Sequence, residues 1–441
     1  MVVTLAVFVF AAGVGAQPSG RGHQWVASWA ASAHGPYPSG NASAQPVLDF
    51  AFESAERGAV DQTFRLIIKP DLWGTRVRLR FANTFGTQPV VFDDAFVGLH
   101  GGAGTVVTGT NRRVTFENGK TRLTLAAGQS AFSDPVALDF AGRAASSLLS
   151  GRKLAVSFHA VGSTGPMTWH AKALTTSYLT APRAGSHGAE AGDEAFPFTT
   201  TSWFFLDALD VIAPDETAVV ACFGDSITDG TASTLNGDDR WPDVLSRRLH
   251  AAYGSRVSVV NAGIGGNRIV SPATYSPAAP FAGGPSALDR LDRDLLRLSG
   301  VSAVVWLEGI NDLSSGADVE AIVAGLKDGV ARMRARGQTR IIGATITSSL
   351  GSAGASGTAD VDAKRQAINR FIRTSGLFDG VADFDAATRD PASGALAAAY
   401  QPNSTIGGPG DRLHPNRAGY QAMGNAIDIR ALAPGGSSRR R

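Results

Sequence analysis

The chain has 441 residues, of which 44% are apolar and 18% charged, so it can bury large cores and is not a disordered polymer. Its 40 basic side chains are balanced by 38 acidic ones, which argues against a protein that binds nucleic acid through charge. The single cysteine, Cys222, excludes an intramolecular disulfide framework and a zinc site built on thiolates. The length predicts more than one domain.

The first segment is an apolar run over residues 1–12, followed by small residues at 14–16. This order is typical of a signal peptide and its cleavage site, although the usual basic residues before the apolar run are missing. We therefore predict a signal peptide at residues 1–16 and a secreted or periplasmic protein. Because a membrane span needs about 20 apolar residues, no stable membrane insertion is predicted.

Residues 25 to about 178 consist of short alternating segments separated by turn residues, a pattern typical of β-strands. In the segment Thr75–Phe81, apolar residues lie on one face and three arginines on the other, as in a half-buried antiparallel strand. Other strands are predicted at Thr63–Lys69, Val90–Leu99, Arg113–Phe116, Arg122–Leu125 and Lys153–Phe158. Their regular spacing predicts a β-sandwich (jelly-roll-like) domain over residues 17–183.

The composition changes twice in the second half of the chain. A small, polar, glycine-rich stretch begins at residue 184 and predicts a linker over residues 184–216. Beyond it, strands are predicted at Ala218–Phe223, Val257–Asn261, Ser302–Leu307 and Arg340–Ile346, and helices at Arg240–Tyr253, Leu288–Leu298, Val319–Arg336, Val361–Thr374 and Arg417–Ile427. Helices between buried strands indicate parallel pairing, so residues 217–433 are predicted to form a three-layer α/β/α domain, with a disordered tail at 434–441.

Polar or glycine residues follow the predicted strands of this domain, at the sheet edge where open α/β sheets bind ligands. Ser226 follows the first strand and is either a nucleophile or an ordinary helix N-cap. Gly263 follows the second strand, where a glycine lets a backbone N–H approach an anion closely. Asn311 follows the third strand, and its carboxamide is either a second donor to the same charge or part of an ordinary turn.

The last polar group precedes the final helix. Asp411 lies three residues before His414, so its carboxylate can fold back beneath the imidazole; the seven other histidines lack this setting. The hydroxyl, the two donors and this carboxylate–imidazole pair are the parts needed for acyl transfer by a serine nucleophile. The chemistry needs no metal or cofactor, and none is predicted.

The segments GDSITDG, NAGIGGN, GIND and DRLHPN resemble, in order and wording, the four blocks of the SGNH (GDSL) hydrolase superfamily, over about residues 217–432. The resemblance implies a flavodoxin-like hydrolase with Ser226 as nucleophile, His414 as base and Asp411 as the residue that orients the base. It further implies an oxyanion hole formed by the N–H groups of Ser226 and Gly263 and by the carboxamide of Asn311.

The first half of the chain resembles the β-domain of a secreted bacterial subgroup of the same superfamily. The similar segments run from Trp25 to Trp29, from Arg80 to Gly86 and from Thr168 to Ala171. Two roles stay open for this half: binding of glycans through exposed aromatic residues such as Trp73 or Trp169, or formation of one wall of the cleft.

These features together predict a secreted serine esterase that hydrolyses carboxylic esters through an acyl-enzyme. The loop from Ser271 to Pro285 lacks a long apolar run and favours short acyl groups, such as acetyl esters of small molecules or polysaccharides. A lipase or arylesterase acting on longer or aromatic acyl esters is one alternative. A peptidase or amidase, or a non-catalytic carbohydrate-binding protein, are alternatives of other classes. The oligomeric state stays open.

Overall fold

The computed structural model describes residues 22–42, 47–142, 148–337, 340–402 and 410–435, and two kinds of sheet occur in them. Up to residue 214 the strands pair antiparallel, and from residue 218 onwards they pair parallel. The predicted signal peptide and most of the predicted tail lie outside the described residues. Within the described residues, no helix is both long enough and apolar enough to cross a membrane.

The antiparallel strands form what is here called the β-region. They are β1 His23–Ala30, β2 Gly35–Pro36, β3 Val60–Ile68, β4 Arg76–Ala82, β5 Val90–Gly102, β6 Thr105–Val106, β7 Arg112–Arg113, β8 Arg122–Leu125, β9 Ser130–Phe132, β10 Val136–Ala137, β11 Leu154–Ser163, β12 Thr168–His170, β13 Ser177–Leu179, β14 Phe198–Thr200, β15 Trp203–Phe204 and β16 Leu206–Pro214. Three sheets result: β1-β16-β4-β10 with β9 on β4; β14-β13-β3-β11-β5-β6 with β7 and β8 on β5; and β15-β12-β2.

The two larger sheets face each other across an aromatic core. The ring of Phe81 on β4 lies 5.3 Å from that of Phe158 on β11 and 5.5 Å from that of Phe92 on β5. Because β4 belongs to one sheet and β5 and β11 to the other, these contacts join the two layers. This arrangement is the predicted β-sandwich. The strand predicted at Arg113–Phe116 shares only Arg113 with β7, and the other predicted strands overlap observed ones.

The linker predicted at residues 184–216 is wrong for most of its length. Strands β14, β15 and β16 lie within it, and β16 pairs with both β1 and β4 inside a sandwich sheet. The one long stretch of it without helix or strand is residues 184–197, as their glycine-rich composition indicates. The apolar side chains of β16, among them Leu209 and Val211, are buried in the core, so this segment is required by the sandwich. The remaining predicted domain boundaries stay predictions.

The parallel part is here called the α/β-region. Its strands are β17 Ala218–Gly224, β18 Val257–Gly263, β19 Val301–Leu307, β20 Arg340–Ala344 and β21 Gly380–Ala382. Its helices are α1 Ser226–Asp229, α2 Trp241–Tyr253, α3 Ala287–Leu291, α4 Ile310–Ser314, α5 Val319–Ala335, α6 Ala359–Thr374, α7 Phe384–Thr388 and α8 Arg417–Ala426. The strand order β18-β17-β19-β20-β21 is the flavodoxin-like order 2-1-3-4-5.

Alternate residues of β17 pack into different cores. Val220 and Cys222 lie in a cluster with residues of α2, α7 and α8, whereas Val219 and Phe223 lie in a cluster with residues of α3, α5 and α6. Helices therefore cover both faces of the sheet, which is the predicted three-layer architecture. Cys222 is a buried core residue.

The two regions are in direct contact along β1. The N–H of Ala27 donates to the carbonyl of Ser299 at 2.9 Å, and the carbonyl of Ala27 accepts from the hydroxyl of Ser258 at 2.7 Å. One apolar cluster contains buried residues of both regions. The β-region and the α/β-region thus share a core, and residues of one reach the functional edge of the other.

Candidate active site

Ser226 stands beyond the carboxyl end of β17, which lies between β18 and β19 in the sheet. A Cβ on Gly224 would lie 2.1 Å from the carbonyl oxygen of Leu307, so only glycine permits this close turn. Asp225 caps α1 by accepting from the N–H of Ile227 at 2.9 Å, and Ser226 is the first residue of the helix. The N-cap alternative for Ser226 is therefore wrong, because its neighbour fills that position.

Ser226, His414 and Asp411 form one chain of hydrogen bonds. His414 Nε2 lies 2.8 Å from Ser226 Oγ, and His414 Nδ1 lies 2.5 Å from Asp411 Oδ2. Because a carboxylate only accepts, Nδ1 carries the proton and Nε2 faces the hydroxyl as an acceptor. The structure thus brings together three residues that the sequence places up to 188 positions apart.

The charge of Asp411 is stabilised within its own loop. Its Oδ1 accepts from the N–H groups of Leu413 and His414, each at 2.9 Å. Burial acts to raise the pKa of Asp411, but the hydrogen bonds from the His414 ring and from these two amides outweigh it and hold that pKa well below its usual range. The carboxylate is therefore ionised beside the imidazole at neutral pH.

Gly263 does not offer the free donor that the sequence predicts. Its N–H donates to Asn261 Oδ1 at 2.9 Å, so the side chain two residues earlier occupies it. A Cβ at Gly263 would lie 2.3 Å from the backbone nitrogen of Asp229, and this close packing against α1 explains the glycine. Gly266 lies in the turn at residues 264–267 that follows β18, here called the glycine turn. Gly266 has a φ of +81°, and no acceptor for its N–H occurs among the described residues.

Asn311 lies beside this glycine turn. Its Nδ2 donates to the carbonyl of Asn267 at 2.9 Å, which leaves the second N–H of the carboxamide available. The N–H of Ser226 likewise has no acceptor within the described part of the chain. The available donors are therefore those of Ser226, Asn311 and Gly266. In the sequence, the one feature that points to the Gly266 donor is the Gly265–Gly266 pair.

Arg290 supports the site and has no sequence motif. Its side chain is 1% exposed and donates to the carbonyls of Gly224 and Ala262, each at 2.8 Å, and to Asn267 Oδ1 at 2.7 Å. It also pairs with Asp294 at 3.3 Å. One guanidinium thus joins the ends of β17 and β18 to the glycine turn, although an arginine in a helical pattern is usually solvent-exposed.

Two buried acids lie near this guanidinium. Burial raises the pKa of Glu308 to about 8, against the attraction of Arg290 and a 2.9 Å hydrogen bond from Trp306 Nε1. Burial likewise raises the pKa of Asp225 to about 7. At neutral pH, Glu308 is therefore mainly protonated. No group of three or more His, Cys, Asp or Glu side chains suited to a metal ion occurs among the described residues.

The sheet order and the residues at its carboxyl edge are those of an α/β/α hydrolase. Residues 222–422 match the model of the GDSL-like lipase/acylhydrolase family, and this part of the chain is a domain of that family. The protein is therefore a carboxylic ester hydrolase. No curated protein matches the chain.

Solved structures similar to this chain align with about half of it. A carbohydrate acetylesterase family member from Sinorhizobium meliloti is 19% identical, covers 48% of this chain and 95% of its own, and has a TM-score of 0.37. The lipase/acylhydrolase from Enterococcus faecalis is 20% identical, with coverages of 50% and 100% and a TM-score of 0.36. A GDSL-like lipase from Bacteroides thetaiotaomicron is 16% identical, with coverages of 49% and 88% and a TM-score of 0.35.

Proposed function

We propose that the chain is a serine esterase in which Ser226 is the nucleophile, His414 the general base and Asp411 the residue that orients the base. The observation that carries this proposal is the continuous hydrogen-bond chain from Ser226 Oγ through the His414 ring to Asp411. The N–H groups of Ser226 and Gly266 and the carboxamide of Asn311 form the oxyanion hole, with Gly266 in place of Gly263.

The reaction proceeds in two acyl-transfer steps. Ser226 Oγ attacks the ester carbonyl while His414 Nε2 takes its proton, and the resulting oxyanion is stabilised by the three donors. His414 then gives that proton to the alcohol oxygen, which leaves, and the acyl group stays on Ser226. A water molecule, deprotonated by His414, attacks the acyl-enzyme, releases the acid and restores the serine.

We propose short acyl groups, acetyl above all, as the substrate class, carried by small molecules or carbohydrates. A long acyl chain needs contiguous apolar surface near the nucleophile. The exposed large apolar residues of the described chain are Val47, Phe50, Leu148, Leu235 and Val381, and none belongs to the loop at 271–285. That loop packs on the β-region, where Tyr275 lies 5.3 Å from Phe85.

The β-region's role is proposed to be that of a cleft wall. Trp169 is buried, and its Nε1 donates to the carbonyl of Ser39 at 2.8 Å, which argues against a glycan contact through this side chain. Trp73 is only half-buried and packs against the apolar core. We also propose secretion or a periplasmic location, which cell fractionation and N-terminal sequencing of the mature protein test.

The test compares the wild type with Ser226→Ala. We expect hydrolysis of p-nitrophenyl acetate to fall by about 10⁴-fold or more in the variant, with its melting temperature retained. A fluorophosphonate is expected to label the wild type at Ser226 and to leave the variant unlabelled. Near-normal turnover by Ser226→Ala contradicts the assignment.

The substrate class is tested separately on the wild type. We expect the acetate to be hydrolysed faster than the octanoate or the matching anilide, and acetylated xylan to release acetate. A preference for the octanoate supports a lipase instead, and a preference for the anilide supports an amidase. No turnover of any ester supports a non-catalytic binding protein.

A further inference from the structure

A buried cluster of charged side chains joins the β-region to α1, the helix that Ser226 begins. Asp229, the last residue of α1, is 1% exposed. His170 Nε2, from β12, lies 3.1 Å from its Oδ1, and His34 Nε2 lies 3.9 Å from its Oδ2. His170 Nδ1 faces the carbonyl of Ser32 at 2.7 Å and so carries a proton, which leaves Nε2 as the ring atom that faces Asp229.

Lys172 adds a further positive charge from the β-region. Its side chain is buried, and its ammonium donates to Thr231 Oγ1 at 2.5 Å, two residues beyond Asp229. Burial acts to raise the pKa of Asp229, but His170, Lys172 and His34 outweigh it and lower that pKa to about 2. Asp229 is therefore a carboxylate whose charge is balanced from the β-region.

This carboxylate holds the turn that carries the available donor. Asp229 Oδ2 accepts from the N–H of Gly265 at 2.9 Å. On the other side of the same residue, Asn41 Nδ2 donates to the carbonyl of Gly265 at 2.9 Å. That carbonyl and the N–H of Gly266 belong to one planar peptide unit and point in opposite directions, so Asn41 orients the Gly266 N–H.

We propose that the β-region contributes to the esterase site by holding the Gly265–Gly266 peptide where the Gly266 N–H meets the oxyanion. Asn41 holds this peptide directly, and His170 and Lys172 hold it through Asp229. The inference rests on the proposed function of Ser226. All four side chains are positioning residues, since they act through the turn. A misplaced donor stabilises the transition state less but leaves the ground state unchanged. We therefore expect kcat to fall.

The first test is Asn41→Ala, which is expected to fold normally because Asn41 is exposed. We expect kcat for p-nitrophenyl acetate and the rate of fluorophosphonate labelling at Ser226 to fall together by about 10- to 100-fold, with KM and melting temperature unchanged. Asn41→Gln keeps the donor and is expected to restore part of the loss. An unchanged kcat in Asn41→Ala overturns the proposal.

The second test compares Lys172→Met with a matched control. Lys69→Met removes another lysine of the same interface, one that pairs with Asp243 of α2 at 2.8 Å and does not touch the glycine turn. Both variants are expected to lose stability, and only Lys172→Met is expected to lose kcat. Equal kcat in both, measured per folded molecule, overturns the proposal.

The outcomes separate the two proposals. If Ser226→Ala stays active, the nucleophile assignment is wrong. If Ser226→Ala is inactive but Asn41→Ala and Lys172→Met keep the wild-type kcat, only the role of the β-region is wrong. Should Lys172→Met fail to fold, Asn41→Ala still decides the question, because its side chain is on the surface.

Discussion

The α/β-region and the β-region both bury polar side chains, but they do so in different places. In the α/β-region these groups gather at the carboxyl edge of the sheet, where Ser226 and Arg290 meet the glycine turn. In the β-region one set lies on the face turned towards the other half: Arg80 is buried beside Asp207 at 2.6 Å, and Arg78 donates to Ser299 Oγ at 3.1 Å. Arg65 is also buried, but it donates to carbonyls within the β-region itself.

This difference teaches that the polar face of an amphipathic strand need not be a solvent face. The alternation in β4 correctly predicts a strand with one apolar face. Arg76 is exposed, but Arg78 and Arg80 on this face are covered, because Asp207 and Asp210 on β16 and Ser299 in the α/β-region supply partners for their guanidinium groups. The two regions are therefore coupled through paired charges as well as through a shared core.

The largest effect is expected from His414→Ala, which tests whether this residue of the α/β-region is the general base. Without the base, Ser226 Oγ has no proton acceptor, and we expect kcat to fall by about 10⁴-fold or more. The His414 side chain is partly exposed, so the melting temperature is expected to stay near that of the wild type. A loss below about 10-fold contradicts a role as general base.

Next in size is Arg290→Met, compared with Arg80→Met in the β-region. Arg80→Met leaves the buried carboxylate of Asp207 without its ion-pair partner, and removal of one member of a buried pair costs about 3–5 kcal/mol. In Arg290→Met, Asp294 keeps its pair with Arg293, but the carbonyls of Gly224 and Ala262 and Asn267 Oδ1 lose their donor, and each buried acceptor left unpaired costs about 1–3 kcal/mol. Urea unfolding measures this loss. Only Arg290→Met is expected to lower kcat as well, since only Arg290 holds the strand ends and the glycine turn. Equal effects of the two variants on kcat contradict the special role of Arg290 at the site.

Asn311→Ala is expected to lower kcat by about 10²- to 10³-fold, the usual cost of removing one oxyanion donor. KM is expected to stay constant, because the lost hydrogen bond forms fully only in the transition state. Steady-state kinetics with p-nitrophenyl acetate provide the measurement. A raised KM at constant kcat instead assigns Asn311 to substrate binding.

The last prediction concerns Glu308→Gln and the pH dependence of stability. Because burial raises the pKa of Glu308 from 4.5 to about 8, the folded state binds a proton that the unfolded state releases between these values. Glu308 therefore lowers wild-type stability progressively as pH rises from about 4.5 to 8. We expect the melting temperature of Glu308→Gln, relative to that of the wild type, to be higher at pH 8 than at pH 5. A constant difference contradicts the raised pKa.

Local features of the fold could be predicted from local sequence. The helix predicted at Arg240–Tyr253 is α2, one residue shorter, and it ends at Gly254 as expected. The helix predicted at Leu288–Leu298 instead divides into α3 and a π-helical turn at Asp292–Leu296. The inward-facing side chains of Arg290 and Asp294, which flank this change, are paired with each other. Periodicity alone does not encode such a pairing.

The sequence by itself determined the strand and helix alternation and placed Ser226, Asn311, Asp411 and His414 at strand or helix ends, because each of these features depends on a few neighbouring residues. Only the tertiary structure decided that Asn261 occupies the Gly263 N–H while that of Gly266 is available. The same holds for Asn41 and Lys172, whose partners lie 224 and 59 positions away. Contacts over such distances depend on how two sheets pack, and no local pattern of residues specifies that packing.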